Sequence, residues 1–404
     1  MAGSPTVARV VRGQLCTGCG LCASVSAGAI TMETVAPGYS RPRQHGDVSP
    51  QAEHAIAGAC PGAVVAPWPQ APHVHPYWGP WRRVATGHAT DEALRHHASS
   101  GGALSALLIH ALRSGRVDRV VHVTAHPDHP TRNLVTCSTT EAQIIEGAGS
   151  RYASSSPLGD IDRLLGDGGA AAFVGKPCDV SALRRLALTD RRVNEHVPLA
   201  LSFFCGGVPS HDGADRILAA IGVKREEVSA FRYRGDGWPG AAVATMRDGR
   251  TAQMSYADSW GAHLSKEVQF RCKICPDAVG GVADIACADA WYGDDEGYPS
   301  FEEHLGRSLI VARTTAGEQF VEAAVEAGVL AIEPLDVGEI DRMQPAQARR
   351  KRLVRARLAA LSATLQPKPE MRGVLVGEAA RRAGGREALQ NLLGSMRRVL
   401  SGRR

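Results

Sequence analysis

The chain has 404 residues, of which 44% are hydrophobic and 22% charged, proportions typical of an ordinary globular protein. This length is too great for one compact core, so two or three domains are expected. The net charge is only +5 and no basic face with a known motif accompanies it, which argues against a nucleic-acid-binding protein. No apolar run of about 18 residues is present, so no membrane span is expected. The N-terminus lacks the apolar segment of a secretory signal, which predicts a cytoplasmic protein.

A cysteine-rich loop, QLCTGCGLC, is the first motif along the chain. Its three cysteines follow the C-x2-C-x2-C spacing of bacterial ferredoxins, but the fourth cysteine of that run is missing. A Cys-Pro pair occurs only later, at residues 60 and 61. In two-cluster ferredoxins the fourth cysteine of each run binds the cluster of the other run. The sequence therefore predicts one [4Fe-4S] cluster, with a structural zinc site as the alternative; the ligands would be Cys16, Cys19, Cys22 and Cys60.

The next stretch, APWPQAPHVHPYWGPW, is rich in proline and aromatic residues and is interpreted as an ordered linker. Its two histidines, His73 and His75, are interpreted as surface side chains. Beyond this linker, short apolar strands alternate with helices of about 10–15 residues, which predicts an α/β core. A β-rich insertion with an Asp-Gly turn interrupts the core near residue 240.

Two glycine-rich stretches of this core are candidates for binding a phosphate or a flavin. In HASSGGALSALL a helix begins at small residues, and its free N–H groups favour an anion such as a pyrophosphate. In EGAGSRYASS a glycine-rich turn precedes a cation and an aromatic ring that could lie against a flavin. Neither stretch fits the GxGxxG or P-loop pattern, and a simple helix cap is the alternative for the first. The candidate residues are Ser99, Ser100, Gly101, Gly102, Gly149, Ser150, Arg151 and Tyr152.

Four cysteines in the second half of the core form another candidate site. Two follow predicted strands, in FVGKPCDV and FFCGGVPS, and two form the C-x2-C of FRCKICPD. Disulfides are not expected in the cytoplasm, so a second four-thiolate site is predicted, with zinc or a redox-active C-x2-C pair as alternatives. Cys137 and Cys287 fit no ligand pattern and are expected to be buried, unreactive thiols. The predicted ligands are Cys178, Cys205, Cys272 and Cys275.

These motifs divide the chain into five predicted segments. The fold class is α/β (α+β), with a flavin-binding core, an N-terminal ferredoxin-like [4Fe-4S] module and a helical C-terminal tail. The segments are the ferredoxin-like module (1–67), the linker (68–82), the N-terminal part of the core (83–168), the C-terminal part of the core with the second cluster (169–340) and the helical basic tail (341–404).

The order of the motifs resembles that of one known family. The chain reads, in order, CTGCGLC, SSGG, AGSRY, VGKPC, FCGG, FRYRGDGWPG, RCKIC and ADIACADAW. This order is similar to that of the coenzyme F420 hydrogenase/dehydrogenase beta-subunit family and extends over most of the chain. The resemblance implies an iron–sulfur flavoprotein that binds FAD and one or two [4Fe-4S] clusters. Such proteins pass electrons between a one-electron carrier and a two-electron acceptor.

The resemblance also implies a role for each motif. SSGG and AGSRY would hold FAD, the four core cysteines would hold a cluster beside it, and the N-terminal four would hold an outer cluster that faces the donor. Lys176 and Arg151 are the candidates to stabilise the negative charge of reduced flavin, and Lys176 would also belong to the cofactor site; a surface lysine is the alternative. Asp284 and Asp289 would orient the substrate loop or cap turns. Trp238 would cover the flavin or pack the insertion.

The predicted function is that of a flavin-dependent oxidoreductase. Electrons would pass from a ferredoxin-like donor, through the clusters and FAD, to coenzyme F420 or another small organic substrate, with polysaccharide biosynthesis as a candidate pathway. One alternative is an electron-transfer subunit of a larger hydrogenase/dehydrogenase complex, without a substrate of its own. Another is a zinc–thiolate interaction protein. The expected partners are the electron donor or the other subunits, with neither nucleic acid nor a membrane; a homo-oligomer is compatible with the sequence.

Overall fold

The computed structural model describes residues 3–293 and 300–402 of the chain. The chain begins with a small α/β module. Two of its helices start with Ser-Pro, so that a serine side chain caps the helix and a proline occupies its first turn. The two strands of the module pair in antiparallel fashion. The elements are α1 (Pro5–Arg12), α2 (Leu21–Val25), β1 (Ile30–Val35), β2 (Tyr39–Gln44) and α3 (Pro50–Ala59).

The stretch interpreted as a linker contains a small hairpin, formed by β3 (His73–His75) and β4 (Gly79–Trp81). Trp78 lies between the two strands and is only 1% exposed. Its indole Nε1 donates a hydrogen bond to the Asp341 carboxylate at 2.7 Å. The buried ring and its polar tip hold the segment against the C-terminal part of the chain, a contact that composition alone does not reveal.

Eleven further strands follow in the described residues. The runs AAFV and LALSF are almost entirely buried, as expected for strands that are covered by helices on both faces. In chain order the strands are β5 (Arg83–Ala89), β6 (Arg119–Ala125), β7 (Asn133–Ser138), β8 (Ala171–Val174), β9 (Leu199–Phe203), β10 (Val228–Arg232), β11 (Ala241–Met246), β12 (Thr251–Ser255), β13 (Ile285–Asp289), β14 (Ser308–Ala312) and β15 (Leu330–Pro334).

Eight of these strands form one mixed sheet in the spatial order β15-β5-β14-β13-β9-β8-β6-β7. The four strands β13, β9, β8 and β6 are parallel, and the outer neighbours on both sides are antiparallel. The carboxyl ends of β8, β9 and β13 therefore lie side by side, which is where ligands bind in α/β sheets. β10, β11 and β12 form a separate antiparallel sheet with the predicted Asp-Gly turn between the last two strands.

Helices cover both faces of the large sheet. None of the helices in the described residues is long and apolar enough to span a membrane. Single turns of 3-10 or π geometry occur at Arg225–Glu227, Ser259–His263, Leu264–Glu267 and Val337–Glu339. The α-helices are α4 (Glu92–His97), α5 (Ala103–Arg113), α6 (Glu141–Glu146), α7 (Ile161–Gly166), α8 (Pro177–Leu186), α9 (Arg192–His196), α10 (His211–Ala220), α11 (Tyr256–Asp258), α12 (Phe270–Lys273), α13 (Thr315–Glu326), α14 (Ile340–Met343), α15 (Pro345–Ala363), α16 (Val376–Arg381) and α17 (Gly385–Leu400).

The N-terminal module shares a hydrophobic core with the large sheet. Cys19 and Leu21 belong to the same buried cluster as Phe173 of β8. The backbone N–H of Leu158 donates to the carbonyl of Cys19 at 2.9 Å. Elsewhere along the same junction, Arg185 of α8 donates through Nε to the carbonyl of Gly58 in α3 at 2.7 Å. The module is therefore packed against the core by apolar burial and by hydrogen bonds to backbone carbonyls.

Candidate functional site

A cavity of about 580 Å³ lies at the carboxyl ends of β8, β9 and β13. Its walls come from both glycine-rich stretches, from the turn after β8 and from the loop after β9. These parts meet because parallel strands end at the same end of the sheet. Most of the residues that the sequence assigns to cofactor binding line this cavity: Ser99, Ser100, Gly102, Gly149, Ser150, Arg151, Tyr152 and Lys176.

Gly101 is not among the lining residues. An added Cβ at this position would lie 2.7 Å from the Ser308 nitrogen and 2.8 Å from the Gly87 oxygen. Its carbonyl accepts a hydrogen bond from the N–H of Ala89 at 2.7 Å. In this structure Gly101 allows the chain before α5 to approach β5 and β14 closely, which a larger residue would prevent.

The start of α5 brings the two glycine-rich stretches together. Gly102 has a φ of +75°, a left-handed conformation that glycine adopts without strain, and α5 begins at the next residue. The first turn of α5 lines the cavity, and the N–H groups of a first helical turn have no partner within the helix. The Ser150 hydroxyl donates to the Ser99 hydroxyl at 2.7 Å, which joins AGSRY to SSGG.

Arg151 lines the cavity, but its guanidinium is held by the surrounding chain. It donates to the carbonyls of Pro130 and Arg132, both at 2.7 Å, and to the carbonyl of Phe231 at 3.0 Å. Its Nε donates to the Asn133 side chain at 3.1 Å. Burial lowers the pKa of this guanidinium. These contacts tie the loop after β6 to strand β10.

Lys176 occupies the turn after β8 and forms a buried ion pair with Asp179. The Nζ atom lies 2.7 Å from Asp179 Oδ2, and the two side chains are 10% and 0% exposed. Lys176 Nζ also donates to the Ser155 hydroxyl at 3.3 Å. Burial alone would lower the pKa of Lys176, but the nearby Asp179 carboxylate and the Cys178 thiol raise it, so the lysine stays charged. The alternative of a surface lysine is wrong, because this side chain is buried.

A second ion pair reaches the cavity through Asp289, which lines it. Arg234 is 1% exposed and donates to both carboxylate oxygens of Asp289 at 2.8 Å. The Trp238 indole donates to the same carboxylate at 3.0 Å. The guanidinium also lies over the rings of Tyr256 and Trp291, at 4.6 and 4.9 Å from their centroids.

Sequence reasoning did not single out Arg234, although the motif FRYRGDGWPG contains it. Its signal was a second arginine in a short aromatic-rich stretch, which is weak without knowledge of the fold. Trp238 is 1% exposed and its ring stacks on Trp291 at 4.8 Å. Of the two roles considered for it, packing of the insertion is what these contacts describe.

Asp284 lies at the other end of the sheet, at the start of β13, and does not line the cavity. Its carboxylate accepts hydrogen bonds from the Ala200 N–H, the Thr314 hydroxyl and Arg184, each at 2.8 Å. Thr314 is itself the cap of α13. Asp284 therefore lies away from the cavity, and its carboxylate joins β9, α8 and the start of α13, which is a structural contact between elements and not the cap of a turn.

The N-terminal cysteines converge around a small void of about 20 Å³. Burial and the neighbouring Cys16 raise the pKa of Cys60 to about 11, and burial followed by the charge of Cys60 raises the pKa of Cys19. Backbone N–H groups point at the sulfurs; that of Gly18, for example, lies 3.4 Å from Cys16 Sγ. The residues around the void include Cys16, Cys19, Cys22 and Cys60.

The core cysteines also converge, and one of them reaches the cavity. Burial and the charge of Cys272 raise the pKa of Cys205 to about 12, and the charges of Cys205 and Cys275 contribute to the raised pKa of Cys178. The N–H of Val208 lies 3.4 Å from Cys272 Sγ. Cys205 is the member of this set that lines the cavity. Within residues 3–293 and 300–402, no group of three or more His, Cys, Asp or Glu side chains is placed to hold a metal ion.

The two remaining cysteines differ from each other. Cys137 is exposed on the outermost strand β7, so the expectation that it is buried is wrong. Cys287 on β13 is 5% exposed, as expected, but it also lines the cavity.

Comparison with protein-family models matches two long parts of the chain. Both models describe the "Coenzyme F420 hydrogenase/dehydrogenase, beta subunit". Residues 84–161 match the model of its N-terminal part, and residues 169–337 match the model of its C-terminal part. The two matches together cover more than half of the chain and follow each other in the family's order.

Curated proteins and solved structures give the same result. The coenzyme F420 hydrogenase subunit beta of Methanococcus voltae is 25% identical over 269 residues, which is 64% of this chain and 86% of that protein. The F420-dependent formate dehydrogenase subunit beta of Methanocaldococcus jannaschii is 26% identical over 233 residues, 55% of this chain and 57% of that protein. A chain of the F420-reducing [NiFe] hydrogenase complex from Methanosarcina barkeri shares the fold, with a TM-score of 0.56 and 20% identity over 74% of this chain and 98% of that one. The chain belongs to the coenzyme F420 hydrogenase/dehydrogenase beta-subunit family.

Proposed function

We propose that this chain is an iron–sulfur flavoprotein oxidoreductase that passes electrons between a one-electron donor and a two-electron acceptor. One observation carries the proposal: Cys205, a member of the core cysteine set, lines the same cavity as SSGG and AGSRY. A cluster bound by this set would therefore border a cofactor bound in the cavity. Protein redox sites supply binding, orientation and electrostatics, and the bound groups supply the electron chemistry.

The cysteine sets suit [4Fe-4S] clusters in the chemistry of their ligands and surroundings. Thiolates are the usual ligands of such clusters, and hydrogen bonds to the sulfurs help to set the reduction potential. Backbone N–H groups contact sulfurs in both sets, at Cys16 and at Cys272. Each thiolate of a cubane binds a different iron atom. The sulfur atoms that hold a cluster are therefore spaced more widely than the ligands of a single metal ion. We assign the outer cluster to residues 1–67 and the inner cluster to residues 169–340.

The cavity suits FAD. The first turn of α5 offers N–H groups for the pyrophosphate, and the aromatic residue Tyr152 lines the same cavity. Residues 83–168 and 169–340 would thus supply most of the cofactor site, and residues 68–82 would pack around them. The start of the helical tail 341–404 also lines the cavity, at residues 343–347 and at Arg350. FAD bound there would exchange electrons singly with the clusters and in pairs with the acceptor.

Lys176 is the better placed of the two proposed catalytic residues. Its ammonium group is charged, lies on the cavity wall and keeps hydrogen-bonding capacity beyond Asp179 and Ser155, since an ammonium carries three donors. We assign it the stabilisation of negative charge on a reduced cofactor. Arg151 has its donors directed at four oxygens of the chain, so we assign it the shaping of the cavity wall.

The relatives suggest the acceptor and a second candidate function. Their names associate them with coenzyme F420, so we propose F420 or another small organic molecule as the acceptor. The same names describe subunits of a hydrogenase and of a formate dehydrogenase. The second candidate is therefore an electron-transfer subunit that receives electrons within a complex and has no substrate of its own.

Anaerobic purification of the full chain tests the proposal. We expect visible absorbance from flavin and clusters, acid-labile sulfide, about eight iron atoms per chain, and bleaching on reduction. Zinc with a colourless protein would contradict it and support a zinc–thiolate interaction protein. Addition of a reduced ferredoxin and F420 then separates the two candidates. Reduction of F420 by the chain with only these two reagents identifies an enzyme. Reduction that also requires another subunit of a complex identifies an electron-transfer subunit.

A further inference from the structure

Arg271 lies between the two cysteine sets. It precedes Cys272 directly in the chain and is 2% exposed within α12. Its Nε and one Nη donate to the carbonyl of Pro61 at 3.3 and 2.9 Å. Pro61 follows Cys60 directly, so a single guanidinium joins the ligand loop of the core set to the ligand loop of the N-terminal set.

The surroundings of this side chain exclude water. Its neighbours Phe270 and Ile274 belong to the buried cluster that also contains Leu15 and Cys16. The guanidinium belongs to the residue directly before Cys272, and its hydrogen bonds to the Pro61 carbonyl bring it to the residue directly after Cys60. The cation therefore lies close to the ligand loop of each set. An interaction between charges is much stronger in such a setting than in water.

We propose that Arg271 is a positioning residue shared by both sites, one that fixes the separation of the two ligand loops and raises the reduction potential of both clusters together. The proposal rests on the proposed function, since it requires a cluster at each cysteine set. Reduction of a cluster adds one negative charge, and a buried cation nearby stabilises the reduced form. Because the same guanidinium serves both sites, its removal must change two potentials.

Two substitutions separate the effect of the Arg271 charge from that of its hydrogen bonds to the Pro61 carbonyl. Arg271→Gln keeps an N–H donor for the Pro61 carbonyl but removes the charge, whereas Arg271→Lys keeps the charge but replaces the planar fork by a single point donor. In anaerobic redox titrations followed by electron paramagnetic resonance, R271Q should lower both midpoint potentials. We expect about a tenfold smaller ratio of reduced to oxidised cluster at a fixed potential, which is about 59 mV for a one-electron couple. R271K should keep both potentials and weaken the magnetic interaction between the reduced clusters.

Arg357→Gln is the matched control. Arg357 donates to the carbonyl of Lys273 at 2.5 Å, and so contacts the core loop, but its guanidinium also donates to the Asn391 side chain on the tail. Its substitution should leave the potential of the outer cluster unchanged. Unchanged potentials in R271Q, or a change in only one of them, would overturn the proposal.

Iron and sulfide contents separate this proposal from the proposed function. A wild-type protein without two clusters contradicts the proposed function, whatever Arg271 does. Two clusters in wild type and variants, with equal potentials throughout, contradict only the role of Arg271. If R271Q loses a cluster, R271K decides: unaltered potentials with a weakened magnetic interaction support the proposal, and two shifted potentials refute it.

Discussion

At the scale of single residues, the ion pair of Lys176 and Asp179 shows how a charge can be kept in a buried place. Asp179 is 0% exposed, and burial raises its pKa while Lys176 lowers it. Its Oδ2 accepts from the backbone N–H of Lys176 at 3.0 Å, which fixes the turn. Asp179 Oδ1 is buried without a hydrogen-bond partner among the described residues, although Asp179 lines the cavity. The Asp179 carboxylate therefore holds the Lys176 ammonium in place, and the charge of Lys176 in turn stabilises the buried carboxylate.

Lys176→Met should reduce both stability and turnover. The variant leaves a buried carboxylate unpaired, which costs about 3–5 kcal/mol of unfolding free energy. It also removes the charge that would face the proposed flavin, which should slow reduction of the two-electron acceptor about 100-fold. Thermal unfolding and steady-state rates with the loaded protein measure the two effects separately.

The double variant K176M/D179N is the control for this prediction. It removes both charges of the pair, so the midpoint of thermal unfolding should return most of the way to the wild-type value. The rate should stay low, because the cation is still missing. A double variant that recovers the rate together with the stability would show that Lys176 acts on the fold alone.

At the scale of elements, the sequence predicts well what depends on local pattern. The short apolar strands predicted before KPC and CGG form as β8 and β9, and the helix after SSGG forms as α5, because their periodicity and flanking glycines are local signals. The hairpin β3–β4 and the pairing of Arg234 with Asp289 could not be predicted, because both depend on contacts between distant parts of the chain. Asp289 lines the cavity and Asp284 does not, because the two residues lie at opposite ends of β13.

The start of α5 gives a prediction at this scale. Gly102→Ala places a Cβ 3.2 Å from Ala89 Cβ and 3.3 Å from the Leu94 oxygen, at a φ of +75°. We expect a loss of about 1 kcal/mol of unfolding free energy and a lower flavin content, because the helix start that lines the cavity must shift. Thermal unfolding and extraction of the pigment measure the two effects.

Gly394→Ala is the matched substitution in a helix interior. Gly394 lies within α17, and an added Cβ would meet only the end of the Arg398 side chain at 3.9 Å. Alanine is the better helix former there, so this variant should be about 0.5–1 kcal/mol more stable than wild type. Equal effects of the two substitutions would exclude a special role for the backbone at Gly102.

At the scale of the whole molecule, the spacing of cysteines predicted two sets but not their relation. The C-x2-C-x2-C run and the distant Cys-Pro pair were enough to predict the first set. The second set could be proposed because two of its members follow strands that proved to be parallel neighbours. The sequence suggested a separate N-terminal module, yet Cys19 and Phe173 share one buried cluster. Hydrophobic burial is not directional, so the sequence does not specify which apolar surfaces pack together, and this contact could not be predicted from it.

Loss of one ligand should remove one cluster at a time. Cys60→Ser should reduce the iron content from about eight to about four atoms per chain and leave the flavin in place. Cys205→Ser should remove a similar amount of iron and also change the flavin absorbance, because Cys205 lines the cavity. Cys137→Ser, at an exposed thiol outside both sets, serves as the control and should change neither quantity. Iron loss in the control, or loss of all iron in C60S, would contradict two independent clusters.

The hydrogen bonds between Leu158 and Cys19 and between Arg185 and Gly58 cross the boundary of the N-terminal module. Because these contacts hold the module against the core, we expect it to stay docked during electron transfer and not to move about a hinge as a mobile carrier domain. Under the proposed function, electron transfer between the two clusters would therefore take place over a fixed distance. A higher solvent viscosity, obtained with glycerol, should lower the rate of association with an external electron carrier. It should leave the rate of intramolecular electron transfer between the proposed clusters unchanged.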